Sequence, residues 1–323
     1  MNDASSVPLP GTTGRHFVLV LNEESGTVLR LGKDHIIETL TGVMTEAGIR
    51  LTIKAVKAQE IQKTLKGAAN SDADAIIIGG GDGTVASAAT LLAGKKKAMG
   101  VLPLGTFNLA ARDLGMPLDL AEAARALTTA PMTQMDAMEV NGRLYLCLIV
   151  MGFYPALMLA TPEYHGWWIV KALRTLRDSL RHMATFPALQ LSLVEDGKTT
   201  HCRTRVVLIA NNDYKEVFGV IPERASIDAG YFTVHLSKHR TRFGMFRSLL
   251  AWVMGRWKED REVTRLQATE LEIHARHKRS LPIMMDGEIE NLPLPLRITL
   301  RPRVLDVLAP RALPKEETEP SIH

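Results

Sequence analysis

The sequence predicts an α/β domain with a parallel sheet, followed by a second domain that is mainly an antiparallel β-sandwich. Three observations carry this. Continuous apolar runs alternate with helix-patterned segments up to about residue 130. From Pro131 onward, β-rich runs are joined by turn residues instead. At 323 residues, with 46% apolar and 23% charged content, the chain has the length and composition for two packed cores and is not a disordered polymer.

The first domain reads element by element. Residues 17–21 form a short apolar strand that feeds a polar loop, Asn22-Glu23-Glu24-Ser25-Gly26. Ile36, Ile37, Leu40, Val43 and Met44 recur at helical spacing, with Gly48 as the stop. Residues 51–56 read as a strand, 59–68 as a helix, and 74–78 as a third strand running into glycines. Residues 85–93 favour helix with Gly94 as cap, 99–104 a fourth strand, and 107–114 a short helix ended by Gly115 and Pro117. Strands that are apolar throughout, rather than alternating, belong to a parallel sheet covered on both faces.

In the second half, Asn141-Gly142 joins residues 133–140 to 143–150, a strong hairpin signal. Glu195-Asp196-Gly197 likewise joins 188–194 to 198–210, and further β-like runs lie at 231–236, 268–275, 296–300 and 304–308. The resulting division is a flexible leader (1–15), an α/β domain (16–132), a β-sandwich (133–300), a C-terminal strand returning to the first domain (301–310) and a disordered tail (311–323). The leader is polar and lacks the basic start and apolar core of a secretory signal. Residues 144–160 carry no charge, but Gly152 and Pro155 interrupt them, so they read as a buried strand and a loop rather than a membrane span. Cys147 and Cys202 lack metal-ligand spacing and read as reduced, structural thiols. The net charge of +4 is compatible with anionic partners and diagnostic of none.

The most informative feature is strand, then Gly79-Gly80-Gly81-Asp82-Gly83-Thr84, then helix. Glycines let the backbone approach a polyphosphate and adopt positive φ, and the following helix brings its positive dipole end to the same spot. Asp82 is odd beside phosphate, because a carboxylate repels it. The residue makes sense if it holds Mg²⁺ or orients the reacting groups. The loop is neither a Walker-type loop, since no Gly-Lys-Ser/Thr follows, nor the spaced glycine fingerprint of dinucleotide folds. About twenty residues later comes Pro103-Leu104-Gly105-Thr106-Phe107-Asn108, continuing to Ala111-Arg112-Asp113-Leu114-Gly115. Neighbouring parallel strands deliver such loops to one edge, where Thr106 and Asn108 offer a hydroxyl and an amide to one nucleotide.

With these two motifs and a late Asp286-Gly287-Glu288, the sequence resembles the diacylglycerol-kinase catalytic family over roughly residues 16–310. That family includes bacterial lipid kinases, is related to sphingosine and ceramide kinases and, more distantly, to NAD kinase. The resemblance implies transfer of the γ-phosphoryl of ATP, with Mg²⁺, to a lipid hydroxyl in a cleft between the two domains. It implies that Asn22, Ser25, Gly79, Gly80, Gly81, Asp82, Gly83, Thr84, Gly105, Thr106 and Asn108 bind nucleotide. By the same match Glu288 is the general base, Asp82 is catalytic and metal-binding, and Asp136 joins a polar network near the metal. Without the resemblance, Asp286-Gly287-Glu288 reads as a plain turn.

Departures from the family pattern are also visible. Glu23 replaces a proline in the first loop, and Lys54 stands near where a nucleotide-contacting Thr is expected. Phe153-Tyr154-Pro155 replaces a Phe-Asp-Ala run. Ala229 takes the place of the second Asp of an Asp-Asp-Gly that holds a structural metal, so either Asp228 substitutes or that metal is absent.

Two stripes bear on partners. Ile169, Leu173, Leu176, Leu180 and Met183 form one, with Trp167 and Trp168 at its start. Phe243, Phe246, Leu249, Leu250, Val253 and Trp257 form the other, and Lys and Arg flank both. Basic amphipathic helices suit transient contact with an anionic membrane surface, while packing on the β domain is the competing reading. No base-stacking aromatic platform accompanies the basic residues, so nucleic acid is not an expected partner. The expected setting is cytoplasmic with peripheral membrane association, and a homodimer is left open. Two further functions compete with a lipid kinase. An NAD kinase is disfavoured because residues 103–115 follow the lipid branch and lack an Asn-Glu pair. A non-catalytic nucleotide sensor draws support from Tyr154 and Ala229.

Overall fold

A computed structural model describes residues 14–153, 155, 188–195, 197–215, 223–239, 241, 244, 247–248, 250–251 and 254–310. The described chain divides into two units, the first made of residues 14–137 and 302–310 and the second drawn from residues 138–301. Both stripes fall wholly or largely outside the described residues, as do Tyr154 and the segments 1–13 and 311–323.

In the first unit, β1 (His16–Asn22) leads through α1 (Gly26–Leu31) and α2 (Lys33–Glu46) to β2 (Arg50–Val56). Then follow α3 (Ala58–Ala69), β3 (Ala75–Gly80), α4 (Asp82–Leu92) and β4 (Ala98–Pro103). Finally α5 (Leu109–Asp113) and α6 (Leu120–Thr129) precede β5 (Met132–Val140). The strands pair in parallel in the order β2-β1-β3-β4, with Val18 opposite Thr52 and Ile76, and Ile76 opposite Met99. Both β3 and β4 are buried along their whole length, which is what their unbroken apolar runs demand of strands covered on both faces. α2 turns Ile36, Leu40 and Met44 inward, one every fourth residue, and Gly48 closes the segment at φ 69°.

Two helices depart from the sequence reading. α1 forms where only a loop is expected; it buries Val28 alone and gives way to α2 at Gly32, with φ 87°. α6 is capped by Asp119, whose carboxylate accepts the Glu122 N–H at 3.0 Å, an N-terminal signature that the periodicity around it does not advertise.

The second unit starts within β5. Asn141 (φ 50°) and Gly142 (φ 84°) form a two-residue turn into β6 (Arg143–Tyr145), and positive φ at both positions is what the I′ hairpin requires. β7 (Leu148–Gly152) follows a break at Leu146-Cys147, where one strand over residues 143–150 is expected. Next come β8 (Leu189–Glu195), β9 (Lys198–Thr204), β10 (Val206–Asn211), the short pair β11 (Tyr214–Lys215) and β12 (Glu223–Arg224), and β13 (Phe232–Ser237). The last are β14 (Val263–Ala268), β15 (Glu270–Ala275), β16 (Ser280–Met285), β17 (Glu288–Pro293) and β18 (Leu296–Leu308).

One antiparallel sheet runs β14-β13-β10-β7-β16-β17, and the start of β18 pairs antiparallel with β15, which continues to β8 and β9. β7 is buried throughout, whereas in β8 the buried Leu189, Leu191 and Leu193 alternate with exposed Gln190 and half-buried Ser192 and Val194.

β18 is a single thirteen-residue strand where two shorter runs are expected. At Arg303 its backbone takes φ 49°, a conformation uncommon for a long side chain, and the Arg303 N–H donates to Asp136 Oδ1 at 2.8 Å. Beyond this point the strand returns to the first unit, where Val307 pairs in parallel with Met99 of β4. Among the described residues no helix is long and apolar enough to cross a membrane.

Candidate functional site

Parallel pairing of β1, β3 and β4 sends their following loops to one edge of the first unit. β1 ends at Asn22, whose Nδ2 donates to Thr84 Oγ1 at 3.5 Å. The Ser25 hydroxyl donates to the Leu104 carbonyl, and Thr27 Oγ1 donates to the Gly105 carbonyl at 3.2 Å. Asn108 stands in the left-handed region at φ 53°, and its Oδ1 accepts the Gly105 N–H at 2.7 Å. Asp82 Oδ1 accepts the Leu109 N–H, at the start of α5, at 2.9 Å. Three loops far apart in sequence are thereby tied into one rim.

The glycines are required by close approach rather than by handedness. None of Gly79, Gly80, Gly81 or Gly83 takes positive φ, contrary to the expectation for this loop. A Cβ on Gly105 would lie 2.9 Å from Gly81 Cα, and one on Gly79 would lie 2.7 Å from Leu21 Cδ1. A Cβ on Gly80 would meet the Thr84 side chain at 2.8 Å. Gly81 is the N-cap, so Asp82, Gly83 and Thr84 form the first turn of α4. The opening amides of a helix lack intrahelical acceptors and the dipole there favours anions, so this turn is a ready seat for phosphate. The same dipole accommodates the Asp82 carboxylate, which makes its presence in the loop less odd than it looks in sequence.

A cleft of about 640 Å³ opens beside this rim, lined by Gly26, Thr27, Arg30, His35, Thr106 and Asn108 among others. Its walls come from the β1 and β4 loops and from Leu118–Leu120, and not from residues 79–84. Thr27, Arg30 and His35 were not singled out in the sequence. The only signal for Thr27 and Arg30 is position just after Ser25-Gly26; α1 brings these two to the cleft, and the start of α2 brings His35.

The remaining expected residues have other surroundings. Asp136 is fully buried in β5 and holds the Arg303 amide. Asp228 Oδ1 accepts the Ser226 hydroxyl at 3.0 Å, while its own N–H donates back to Ser226 Oγ at 3.2 Å. Lys54 in β2 reaches toward α3: its Nζ lies 4.0 Å from where a Gly67 Cβ would stand.

Glu288 is exposed at the first position of β17, just after the two-residue turn formed by Asp286 (φ 47°) and Gly287 (φ 93°). Asp286 is buried, and its carboxylate accepts the N–H groups of Leu146 at 2.7 Å and of Cys147 and Leu148 at 2.9 Å. Burial pushes its pKa up, against the pull of those three amides and of Arg224. Arg224, also buried, donates to the Leu146 carbonyl, and its guanidinium lies 5.9 Å from the centre of the Tyr214 ring. Nearby, burial pushes the Tyr145 phenol up to about 12, with Arg143 opposing and Glu290, Asp286 and Glu288 reinforcing the shift. The turn thus has a division of labour: Asp286 is structural and Glu288 is presented to solvent.

A glycine-cornered helix N-terminus on a parallel sheet, followed by an antiparallel unit, defines a class of two-unit proteins with an α/β half and a β half. Residues 16–140 match the family described as the diacylglycerol kinase catalytic domain, and residues 163–309 match the YegS C-terminal NAD kinase beta sandwich-like domain. Residues 16–140 thus belong to the diacylglycerol-kinase catalytic family, and residues 163–309 to the YegS-type C-terminal family. A diacylglycerol kinase of Bacillus subtilis (strain 168) is 25% identical over 287 residues, covering 85% of this chain and 92% of that one. A Pseudomonas syringae pv. tomato protein named "Probable lipid kinase YegS-like" is 37% identical over 120 residues, which is 36% of this chain and 38% of its relative. Among solved structures, a diacylglycerol kinase from Bacillus anthracis str. Sterne superposes with a TM-score of 0.67 at 21% identity, covering 91% of this chain and 96% of that one, a likeness of fold.

Proposed function

We propose that this chain is an ATP-dependent lipid kinase that transfers the γ-phosphoryl group to a lipid hydroxyl of the diacylglycerol or sphingoid type. The observation that carries this reading is the lacing of Asn22, Ser25, Asp82, Thr84, Gly105 and Asn108 into one rim around the first turn of α4. In this reading the α4 amides hold the polyphosphate, and Thr106 and Asn108 border the nucleotide. Asn22 and Ser25 brace the loops around it.

Asp82 and Thr84 supply hard oxygen donors of the kind magnesium selects, so the rim fits Mg²⁺. When bound, that ion neutralises charge on the phosphate oxygens. Asp136, engaged with the Arg303 amide, acts as a supporting group, and Asp228 is the candidate for a structural ion in the second unit. Glu288 takes the proton of the lipid hydroxyl as its oxygen bonds to the γ-phosphorus and the bond to ADP breaks. A lipid acceptor brings transient contact with an anionic membrane surface into the same reading. The relatives named for diacylglycerol and lipid kinase activity support it, and the acceptor class rests on them.

The test is incubation of the purified chain with labelled ATP and Mg²⁺, with a total lipid extract in one arm and NAD in another. Label is expected in a lipid. Asp82→Ala should abolish transfer with the fold intact by circular dichroism. Glu288→Gln should lower turnover by roughly 10²-fold or more while nucleotide affinity barely changes. Label in NAD would replace the lipid by a dinucleotide acceptor, and nucleotide binding without transfer to either would make the chain a sensor.

A further inference from the structure

The proposed reaction leaves one group of convergent side chains without a task. His239 lies just beyond β13, and Asp260 and Glu262 lie just before β14. His239 Nε2 is 3.1 Å from Asp260 Oδ2 and 3.2 Å from Glu262 Oε2, and one ligand atom from each of the three residues lies within 4.8 Å of the others. The imidazole is wholly buried and the Asp260 side chain is 5% exposed, while Glu262 is 48% exposed and leaves one side open.

The geometry between these atoms is informative. Both Nε2 of His239 and Oδ2 of Asp260 are sealed from solvent, yet neither makes a hydrogen bond of acceptable geometry, despite separations short enough for one. A buried polar group normally finds a partner, and an exception calls for an explanation. Lone pairs aimed at a common point between the atoms, rather than at one another, produce this pattern. Ligands about 2.0–2.2 Å from a tetrahedral ion stand roughly 3.3–3.6 Å apart, and the separations of 3.1 and 3.2 Å lie just below that range.

The surroundings hold the ligands in place. Ser237 Oγ lies 2.9 Å from His239 Nδ1, which sets the ring orientation and leaves Nε2 facing inward. Arg205 donates to the His239 carbonyl at 3.1 Å, and Asp260 Oδ1 accepts the Glu262 N–H at 3.1 Å. Gly244 packs so tightly that a Cβ there would lie 2.9 Å from His239 Cδ2 and 3.3 Å from Glu262 Oε2. Burial works to raise the Asp260 pKa, but the Glu262 amide, the Ser248 hydroxyl, His239 and Arg247 together hold it below the ordinary carboxylate range.

We infer that His239, Asp260 and Glu262 form a three-ligand site for a divalent transition metal of the zinc type, with its fourth position open on the Glu262 side. One imidazole and two carboxylates suit zinc better than magnesium or calcium, which prefer oxygen alone. Arg247, 3.4 Å from Glu262 Oε2, is the cation the metal must share that carboxylate with. The site clips together the two ends of the 240–259 connection, which carries the second apolar-and-basic stripe seen in the sequence. Metal binding would fix where that segment leaves and rejoins the sheet.

The test uses the full chain, stripped with a chelator and titrated with zinc chloride against a chromophoric zinc indicator. One tightly bound equivalent is expected, together with a higher thermal midpoint. Ser237→Ala should weaken zinc binding about tenfold, and His239→Ala by at least about that much. Because a buried histidine can matter for folding, half-exposed Glu262→Gln is the second variant. It should keep the wild-type circular dichroism and also bind zinc about tenfold more weakly, or worse. If the wild type takes up no equivalent, or binds no more tightly than Glu262→Gln, the site is refuted. The cluster is then a metal-free packing contact between His239 and two carboxylates.

Discussion

Gly105 shows how much a single position can decide. It needs no unusual φ; it is glycine because any side chain would push its loop off the Gly81 backbone and separate two walls of the phosphate rim. His235 makes the opposite point, that burial decides charge. It is 5% exposed, its ring meets Trp257 edge-on at 4.9 Å, and neither ring nitrogen finds a hydrogen-bond partner. Burial pushes its pKa from 6.5 down to about 4, opposed by Asp213 and assisted by Arg265 and Lys258. Above pH 6.5 both folded and unfolded chains hold it neutral, so it then contributes nothing. Below that value the unfolded chain takes up the proton first, and stability is lost as pH falls toward 4, by up to roughly 3 kcal/mol from this group. Urea denaturation at pH 7, 6 and 5 should show this loss, and His235→Gln should flatten it. Equal slopes for the two proteins would show that other groups set the acid limit.

At the scale of elements, the turn between β16 and β17 does two jobs with adjacent residues. The backbone of Asp286-Gly287 makes the I′ turn its composition announces, while the Asp286 carboxylate gathers three amides where the chain breaks between β6 and β7. The break is thus caused by a partner almost 140 positions away, which is why residues 143–150 read as one strand in the sequence. Asp286→Ala would leave those amides buried without an acceptor and should cost about 3 kcal/mol or more in chemical denaturation. Asp286→Asn keeps one acceptor oxygen and should cost less.

Elements with a local cause were legible: β3 and β4 from unbroken apolar runs, α2 from its four-residue spacing, and the turns before β6 and β17 from Asn-Gly and Asp-Gly. α1 was not, because a six-residue helix that buries one side chain leaves too little periodicity to detect. Arg30 carries no signal for the same reason, while His35 sits in the legible α2 and only the tertiary structure brings it to the cleft.

On the scale of the whole molecule, the chain leaves the first unit inside β5 and re-enters it inside β18. The returning segment completes the first unit: Val307 pairs with Met99, the Val304 carbonyl accepts the Gly94 N–H at 2.9 Å, and Ala309 donates to the Pro131 carbonyl at 3.2 Å. A chain ending at Arg301 would expose the edge of β4 and leave Asp136 without the Arg303 amide. Such a chain should lose cooperative unfolding and elute as aggregate in size-exclusion chromatography. A monomeric, nucleotide-binding truncation would show that the first unit does not need its last strand.

By itself, the sequence determined the α/β-then-β architecture and picked out the two loops, Gly79–Thr84 and Gly105–Asn108, that the structure laces into one rim. Those features depend on hydrophobic period and on glycine-rich strand-to-helix turns, and both are written locally. Only the tertiary structure decided that the first-loop glycines answer to packing rather than to positive φ. It alone showed that Asp286 is structural while Glu288 faces solvent, and that His239 meets Asp260 and Glu262. Such pairings join residues that the chain brings together only after its sheets have formed, so no local pattern announces them.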